Sequence, residues 1–247
     1  MADATVVTGI NSVRSTLKFG AEGVAELWLD RRRRDRRLAE LAELARAAGI
    51  PIRQVDQDAL DKAAAGANHQ GALARVRAPA ARGERDLDRL LNDIDGPPLL
   101  LVLDGVPAPH NLGACLRSAD GAGAAAVIAP KDKAAGLTPV VVKVASGAAD
   151  AVPFVQVTNL ARTFQTLKER GVWLVGLADA APASLYQTDL TGPLALVLGS
   201  EGSGLRRLTA ERCDLLASLP MRGRVESLNV SVAAGICLYE ALRQRSG

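Results

Sequence analysis

Aromatic residues are scarce in this chain: two Trp, two Tyr and three Phe among 247 residues. That scarcity argues against an RNA-binding sheet that works by stacking bases on exposed rings. Histidine is rarer still, at two (His69 and His110), and the three cysteines, Cys115, Cys213 and Cys237, are far apart and odd in number. No zinc spacing can be built from them, so no metal is expected. The cysteines read as small buried hydrophobes in a reducing compartment. No apolar run reaches the length that spans a bilayer, and the first residues lack the charged-then-apolar pattern of a secretory signal. The expectation is a soluble, cytoplasmic protein with no membrane partner.

The familiar nucleotide loops are missing too. No Gly-x-x-x-x-Gly-Lys-Ser/Thr string occurs, which removes the P-loop ATPase and GTPase readings. Gly199, Gly202 and Gly204 reverse the spacing of a dinucleotide-binding fingerprint. The run Gly121-Ala122-Gly123-Ala124-Ala125-Ala126 matches a variant of that fingerprint but precedes an apolar strand, so its glycines are expected to end a helix. The Gly-x-Ser-x-Gly nucleophile elbow is likewise absent.

What the chain does have is a large apolar fraction, 48%, ample for a packed core. Its net charge of +3 is unevenly shared. Residues 1–85 hold 15 basic against 11 acidic residues, a net of +4, and residues 86–247 hold 15 against 16, a net of −1. The excess is densest at Arg31, Arg32, Arg33, Arg34, Arg36 and Arg37. That run fits either a solvated helix start or a patch contacting phosphates.

Residues 5–76 alternate short strands with helical patterns. "ATVVTG", "AELWLD", "IPIRQV" and "GALARV" read as strands, and Asn11 or Ser12 is placed to cap a helix through Phe19. Leu38, Leu41, Leu44, Ala45 and Ala48 mark the apolar face of a second helix, stopped by Gly49-Ile50-Pro51. The boundaries expected are a small α/β domain over 1–78, a polar linker over 79–97 with one short helix near Leu87–Leu91, and a large domain over 98–247. In the large domain the apolar segments are continuous: "LLLVLDG", "AAAVIAP", "AVPFVQV", "VWLVGLA" and "PLALVLGS". Such runs suit strands buried on both faces, hence a parallel sheet covered by helices, with ligands at the carboxyl ends of the strands.

Three segments at those ends share a chemical character. "HNLGACLRSADGAG" offers Asn111 as a helix cap with Arg117 two turns on. "LGSEGSGL" places Glu201 among glycines, which expose backbone N–H and C=O groups to a ligand. "LPMRGRVESLNVSVAAGICLYEALRQR" has Ser227 and Asn229 bracketing a helix start. Each residue taken alone reads as a plain cap or a surface charge.

Together and in this order, Asn111-x-Gly113-x-x-x-Arg117, Leu198-Gly199-x-Glu201-Gly202-x-Gly204, then Leu219-Pro220-Met221 with Ser227-Leu228-Asn229-Val230-Ser231 resemble motifs 1, 2 and 3 of the SpoU (TrmH) ribose methyltransferases of the SPOUT superfamily. The resemblance covers residues 99–247 directly. At the front, "VVTGINSVRSTL" and "NHQGALARV" look like the small substrate-binding domain, similar to ribosomal protein L30e, that precedes it in many members.

The resemblance implies an α/β fold whose parallel-sheet SPOUT domain ends in a trefoil knot, a feature no periodicity could reveal. It implies S-adenosyl-L-methionine as cofactor, held by Leu198, Gly199, Leu219, Met221, Ser227 and Leu228. It implies a homodimer through the catalytic domain, with the apolar helix Leu228–Leu242 in the interface. The reaction implied is methylation of a ribose 2′-hydroxyl, most closely that of a guanosine in the peptidyl-transferase region of 23S rRNA, free or in an assembling particle. A tRNA target and a non-catalytic assembly factor are the alternatives. The implied catalytic set is Asn111, Arg117, Glu201, Ser227 and Asn229. A guanidinium is a poor base, so Arg117 is expected to bind the adjacent phosphate and steady charge on the 2′-oxygen. Glu201 then orients Arg117 or accepts the proton. RNA contacts are expected at Arg31, Arg32, Arg33, Arg34 and His69.

Overall fold

A computed structural model describes residues 4–77, 80–179 and 181–246. In chain order the elements are β1 (Ala4–Thr8), α1 (Ile10–Phe19), β2 (Val24–Asp30), α2 (Arg36–Ala47), β3 (Ile52–Val55), α3 (Gln57–Ala64) and β4 (Ala72–Arg77). There follow α4 (Glu84–Asp93), β5 (Leu99–Asp104), α5 (Pro109–Gly121), β6 (Ala126–Pro130), α6 (Pro139–Ala145), α7 (Ala148–Ala151) and β7 (Phe154–Val157). The last are α8 (Leu160–Glu169), β8 (Trp173–Leu177), β9 (Ala183–Ser184), β10 (Leu194–Gly199), α9 (Arg207–Arg212), β11 (Leu215–Ser218) and α10 (Val230–Arg245). Two units result, one from Met1–Ala80 and Leu137–Ala151, the other from Ala81–Gly136 and Val152–Gly247.

The sheet of the first unit has the order β1-β4-β2-β3, with β4 antiparallel to both its neighbours and β3 parallel to β2. Local chemistry sets the helix boundaries. The chain leaves β1 through Gly9 at φ +91°, so α1 starts at Ile10. Asn11 and Ser12, expected as caps, therefore lie inside its first turn. Asp35 caps α2, accepting from the Leu38 and Arg37 N–H groups at 3.1 and 3.0 Å. Those bonds and the nearby Arg33 charge hold its carboxyl below the ordinary value. The buried face of α2 is Leu38, Leu41, Ala42 and Ala45. Ala48, expected on that face, is exposed because the helix has already ended.

The first unit also takes in α6 and α7 from the middle of the chain. The Ser15 hydroxyl in α1 donates to the Ser146 carbonyl at 2.7 Å, and a Cβ on Gly147 would sit 2.3 Å from the Ser15 Oγ. This close fit fills one side of α1 with residues more than a hundred positions away in sequence.

In the second unit seven strands have the order β7-β6-β5-β10-β8-β11-β9, and every pairing is parallel. All six residues of β5 and all five of β6 are buried, as continuous apolar runs require when helices cover both faces. Each fully buried Leu or Val contributes about 1.5–3 kcal/mol relative to exposure. Within the segment read as linker, α4 spans ten residues and buries Leu87 among Leu100, Val102, Val155 and Phe164 of the core. Its start is fixed by the Asp86 carboxylate, which accepts from the Gly83 N–H at 3.0 Å. The Gly121-Ala122-Gly123 run ends α5, with Gly123 at φ +70°.

The last turn of α10 is tied to the strand starts. Arg245 donates to the carbonyls of Leu190 and Pro97, each at 3.0 Å, and Gln244 to that of Thr188 at 3.1 Å. Burial at this site lowers the Arg245 pKa below its ordinary value. Cys115 and Cys237 are buried and Cys213 half-buried, and burial pushes all three thiols up to about 12. Among the described residues no helix is long and apolar enough to cross a membrane, and no cluster of three or more His, Cys, Asp or Glu is placed to hold a metal.

Candidate active site

A fully parallel sheet puts the carboxyl ends of all its strands along one edge, where open α/β sheets bind their ligands. The order reverses between β5 and β10, which pair in register from Leu194 and Leu99 to Gly199 and Asp104. Each then leads into one of the glycine- and asparagine-bearing segments.

After β10 the chain doubles back over its own last residue. A Cβ on Gly199 would lie 1.9 Å from the Gly204 carbonyl carbon, so only glycine fits there. Gly202 and Gly204 adopt φ of +83° and +62°, a backbone region that side chains disfavour. The loop is braced by the Gly204 N–H donating to the Ser200 carbonyl at 2.9 Å and by a 2.6 Å bond between the Ser200 and Ser203 hydroxyls.

The base of the loop is pinned from β5. Asp104, the last residue of that strand, is 1% exposed. Its carboxylate accepts from the Arg206 backbone N–H at 3.1 Å and from Nε at 2.6 Å, with a further contact to Nη2. The hydrogen bond to Asp104 raises the Arg206 pKa above its ordinary value. This pair went unnoticed in the sequence, although an acid ending a run of five apolar residues is a legible signal of a buried, partnered carboxylate.

Asn229 joins the three motifs. Its Oδ1 caps α10, accepting from the Ser231 N–H at 2.9 Å and the Ser231 hydroxyl at 2.7 Å. With Oδ1 committed as acceptor, the amide nitrogen must face other acceptors. It donates to Asn111 Oδ1 at 3.1 Å and to Glu201 Oε2 at 3.3 Å. One side chain thus ties the helix after β5, the loop after β10 and the start of α10.

Asn111 reaches this position from inside α5, not as its cap. Pro109 begins the helix and Ala108 precedes it as the N-cap, because proline suits the first helical position. Arg117, six residues on, lies about 120° around the axis from Asn111. It is exposed and makes no hydrogen bond or ion pair among the described residues. Glu201 bonds to Asn229 and, among the described residues, makes no hydrogen bond or ion pair with Arg117, so the expected orientation of Arg117 by Glu201 is not seen.

Beside the Asn229 cluster a cleft opens between the ends of β10 and β8. Leu198, Gly199, Leu219, Met221, Ser227 and Leu228 all line it, together with Glu201. Leu177, Ala178 and Asp179 complete the wall. Sequence reading missed these three, although they follow the apolar run of β8 as Gly199 follows that of β10. The lining holds two carboxylates, Asp179 and Glu201, and no basic residue. It therefore suits an apolar or cationic ligand and offers nothing to neutralise a phosphate.

The remaining candidates lie in the first unit. Arg31, Arg32, Arg33 and Arg34 occupy the turn between β2 and the Asp35 cap, all exposed, so they precede α2 and are not its first turn. Arg33 is held by the Gln70 carbonyl at 2.7 Å and by Asp35 at 2.9 Å, and Arg31 faces Asp56 at 3.5 Å. Arg32 and Arg34 have no ion pair among the described residues. His69 departs from expectation: it is buried, its Nδ1 accepts from the Gly71 N–H at 3.0 Å, and its Nε2 bonds Asp61 at 3.0 Å. One ring nitrogen thus braces the 68–71 turn and the other ties it to α3.

Comparison with known proteins agrees with this geometry. Residues 98–239 match the model of the SpoU rRNA methylase family, and residues 6–81 match that of the RNA 2′-O ribose methyltransferase substrate-binding domain. The 23S rRNA (guanosine-2′-O-)-methyltransferase RlmB of Ralstonia nicotianae is 52% identical over 100% of this chain and 98% of its own length. That of Shewanella oneidensis is 54% identical over 99% of each. The crystal structure of the SpoU methyltransferase AviRb from Streptomyces viridochromogenes with its cofactor AdoMet superposes with a TM-score of 0.79 at 29% identity, over 98% of this chain and 91% of that one. With motif residues from three segments gathered at one sheet edge, and a family model covering more than half its length, the chain belongs to the SpoU rRNA methylase family.

Proposed function

We propose that this protein methylates the ribose 2′-hydroxyl of a guanosine in 23S rRNA, with S-adenosylmethionine as its cofactor. The observation that carries the reading is the Asn229 amide, bonded to Asn111 and Glu201 at the mouth of a cleft without basic residues. The RlmB relatives, alike over essentially the whole chain, support the target. The trefoil knot and the homodimer belong to the same reading. Val232 and Tyr239, exposed seven positions apart on α10, supply an apolar strip for the second copy.

S-adenosylmethionine, when bound, supplies an electrophilic methyl group on a sulfonium. The lining fits it: apolar Leu198, Leu219, Met221 and Leu228 for the adenosine, and Asp179 and Glu201 to complement its positive charges. The acceptor hydroxyl is a weak nucleophile at neutral pH, so the protein's work is to place it and take its proton. Asn111, held by the Asn229 amide through its Oδ1, turns its own amide nitrogen to the ribose as a donor, and Asn229 positions it. Glu201, exposed and held by one hydrogen bond, is the group able to accept the proton. Arg117, free of partners, binds the flanking phosphate and stabilises charge gathering on the 2′-oxygen.

The deciding experiment incubates the protein and labelled S-adenosylmethionine with unmodified 23S rRNA transcript or with tRNA, then maps the alkali-resistant linkage. Label at one guanosine of the 23S transcript is expected. Label in tRNA alone, or in neither RNA while the cofactor binds, would overturn the proposal.

A further inference from the structure

Within the second unit a second concavity lies on the same edge of the sheet, beyond β5 from the cofactor cleft. It is formed by the turn after β6 and the starts of α8 and α9. Its charged lining is four basic side chains, Lys133, Arg206, Arg207 and Arg212, against one acid, Asp132. Two of the four already have partners: Arg206 holds Asp104, and Arg207 pairs with Glu211 at 2.8 Å. Lys133 and Arg212 are exposed and have no ion pair among the described residues. Lys131 and Arg162 add positive charge near Glu84, whose carboxylate is taken up by the hydroxyl and N–H of Thr158 in the lining.

Lys133 sits at a backbone position that side chains rarely adopt. It is one of four non-glycine residues with positive φ among the described residues, at +57°, a conformation that costs energy and is retained where a loop must be held in one shape. The loop is anchored by the Ala135 N–H donating to the Val106 carbonyl at 2.9 Å, on the segment leading into α5 and Asn111. Topology supplies the rest. The cleft lies at β10 and β8, Asn111 follows β5, and β6 and β7 lie on the opposite side of β5. A nucleotide seated at Asn111 thus has the cofactor cleft on one flank and these cations on the other.

We propose that this groove holds the phosphodiester backbone of the substrate RNA beside the target nucleotide, with Lys133 and Arg212 as its phosphate-binding residues. The proposal rests on the RNA methyltransferase reading above. It assigns to the catalytic unit a sequence-independent contact of the kind that sets affinity and register without reading bases.

The test measures binding of unmodified 23S rRNA transcript by the full-length protein and by Lys133→Glu/Arg212→Glu across a range of salt concentrations. Each lost phosphate contact reduces the slope of log affinity against log salt by about 0.7–1, so the pair should flatten it by about 1.4–2 and weaken binding at least tenfold. Cofactor affinity and melting temperature should match the wild type. RNA affinity within twofold and an unchanged slope would overturn the groove. If the reversed pair unfolds, Lys133→Gln/Arg212→Gln removes the charges alone and must show the same flattening. A wild type that methylates while the variant's slope is unchanged sinks the groove only. A wild type whose RNA binding depends on the groove but which transfers no methyl sinks the reaction and leaves the groove standing.

Discussion

Replacing either member of the Asp104–Arg206 pair breaks the same ion pair, yet the two substitutions should not cost the same. The Asp104 side chain is 0% exposed and that of Arg206 52% exposed. In Asp104→Asn, the released guanidinium turns into water and is rehydrated. What is lost is the charge-assisted part of the contacts, about 1.5–3 kcal/mol for bonds to a charged group, taken at the lower end because the arginine is half in solvent. In Arg206→Ala the carboxylate remains sealed behind β5 with only a backbone N–H for company. Breaking a buried pair in that way costs about 3–5 kcal/mol. Arg206→Ala should therefore destabilise the protein by at least about 1 kcal/mol more than Asp104→Asn, and the double variant should recover part of the difference. Because Arg206 anchors the end of the glycine loop, cofactor affinity should fall with it, by about tenfold or more for each 1.4 kcal/mol lost from the bound loop. Denaturant unfolding of the four proteins and calorimetric titration with S-adenosylmethionine measure both quantities. If the two single variants were equally stable, or if Arg206→Ala bound cofactor as the wild type does, the pair would not be what holds the loop.

Three further outcomes are expected. Glu201→Gln keeps an acceptor for Asn229 but cannot take a proton, so kcat at saturating cofactor and RNA should fall at least a hundredfold, beyond whatever cofactor affinity is lost with the charge, which titration measures separately. Arg117→Ala should reduce kcat by about 10²–10³ and Arg117→Lys should restore it only in part, read from single-turnover methylation at saturating RNA. Glu240 is buried on α10, and hydrogen bonds from Arg243 and then Gln244 lower its pKa from 4.5 to about 2. A carboxyl depressed in the folded state stabilises the fold above its unfolded pKa and loses that contribution as pH falls through the folded value. Acid unfolding followed by circular dichroism should show a loss of stability between about pH 4.5 and 2 that Glu240→Gln makes smaller.

The sheet strands were legible because both faces are buried, and "LLLVLD" or "LALVLG" can hardly be anything else. The helix starts were less so. Asn11, Ser12 and Asn111 have the chemistry of caps, but Gly9 and Pro109 ahead of them begin their helices earlier, and backbone geometry outranks a good side chain. Short elements carried no periodic signal: α3, with eight residues, and β11, with four, passed unnoticed. Asn229 was recognisable as a helix cap through its side-chain oxygen, but only the fold brings the hydrogens of its amide nitrogen to Asn111 and Glu201. His69 shows the opposite case, since bonds to Gly71 and Asp61 engage a side chain that a sequence presents as free.

The inclusion of Leu137–Ala151 in the first unit has a consequence for anyone wishing to cut this gene in two. A fragment stopping at residue 80 matches the substrate-binding family model almost to its end, yet it would be born with a gap. The Ser15 hydroxyl would have no Ser146 carbonyl, and the flank of α1 that meets Gly147 would be open to solvent. Deleting residues 137–151 from the catalytic half would damage the other half instead. Order along the chain and membership in a folded body are different things here, and α6 and α7 answer to the second.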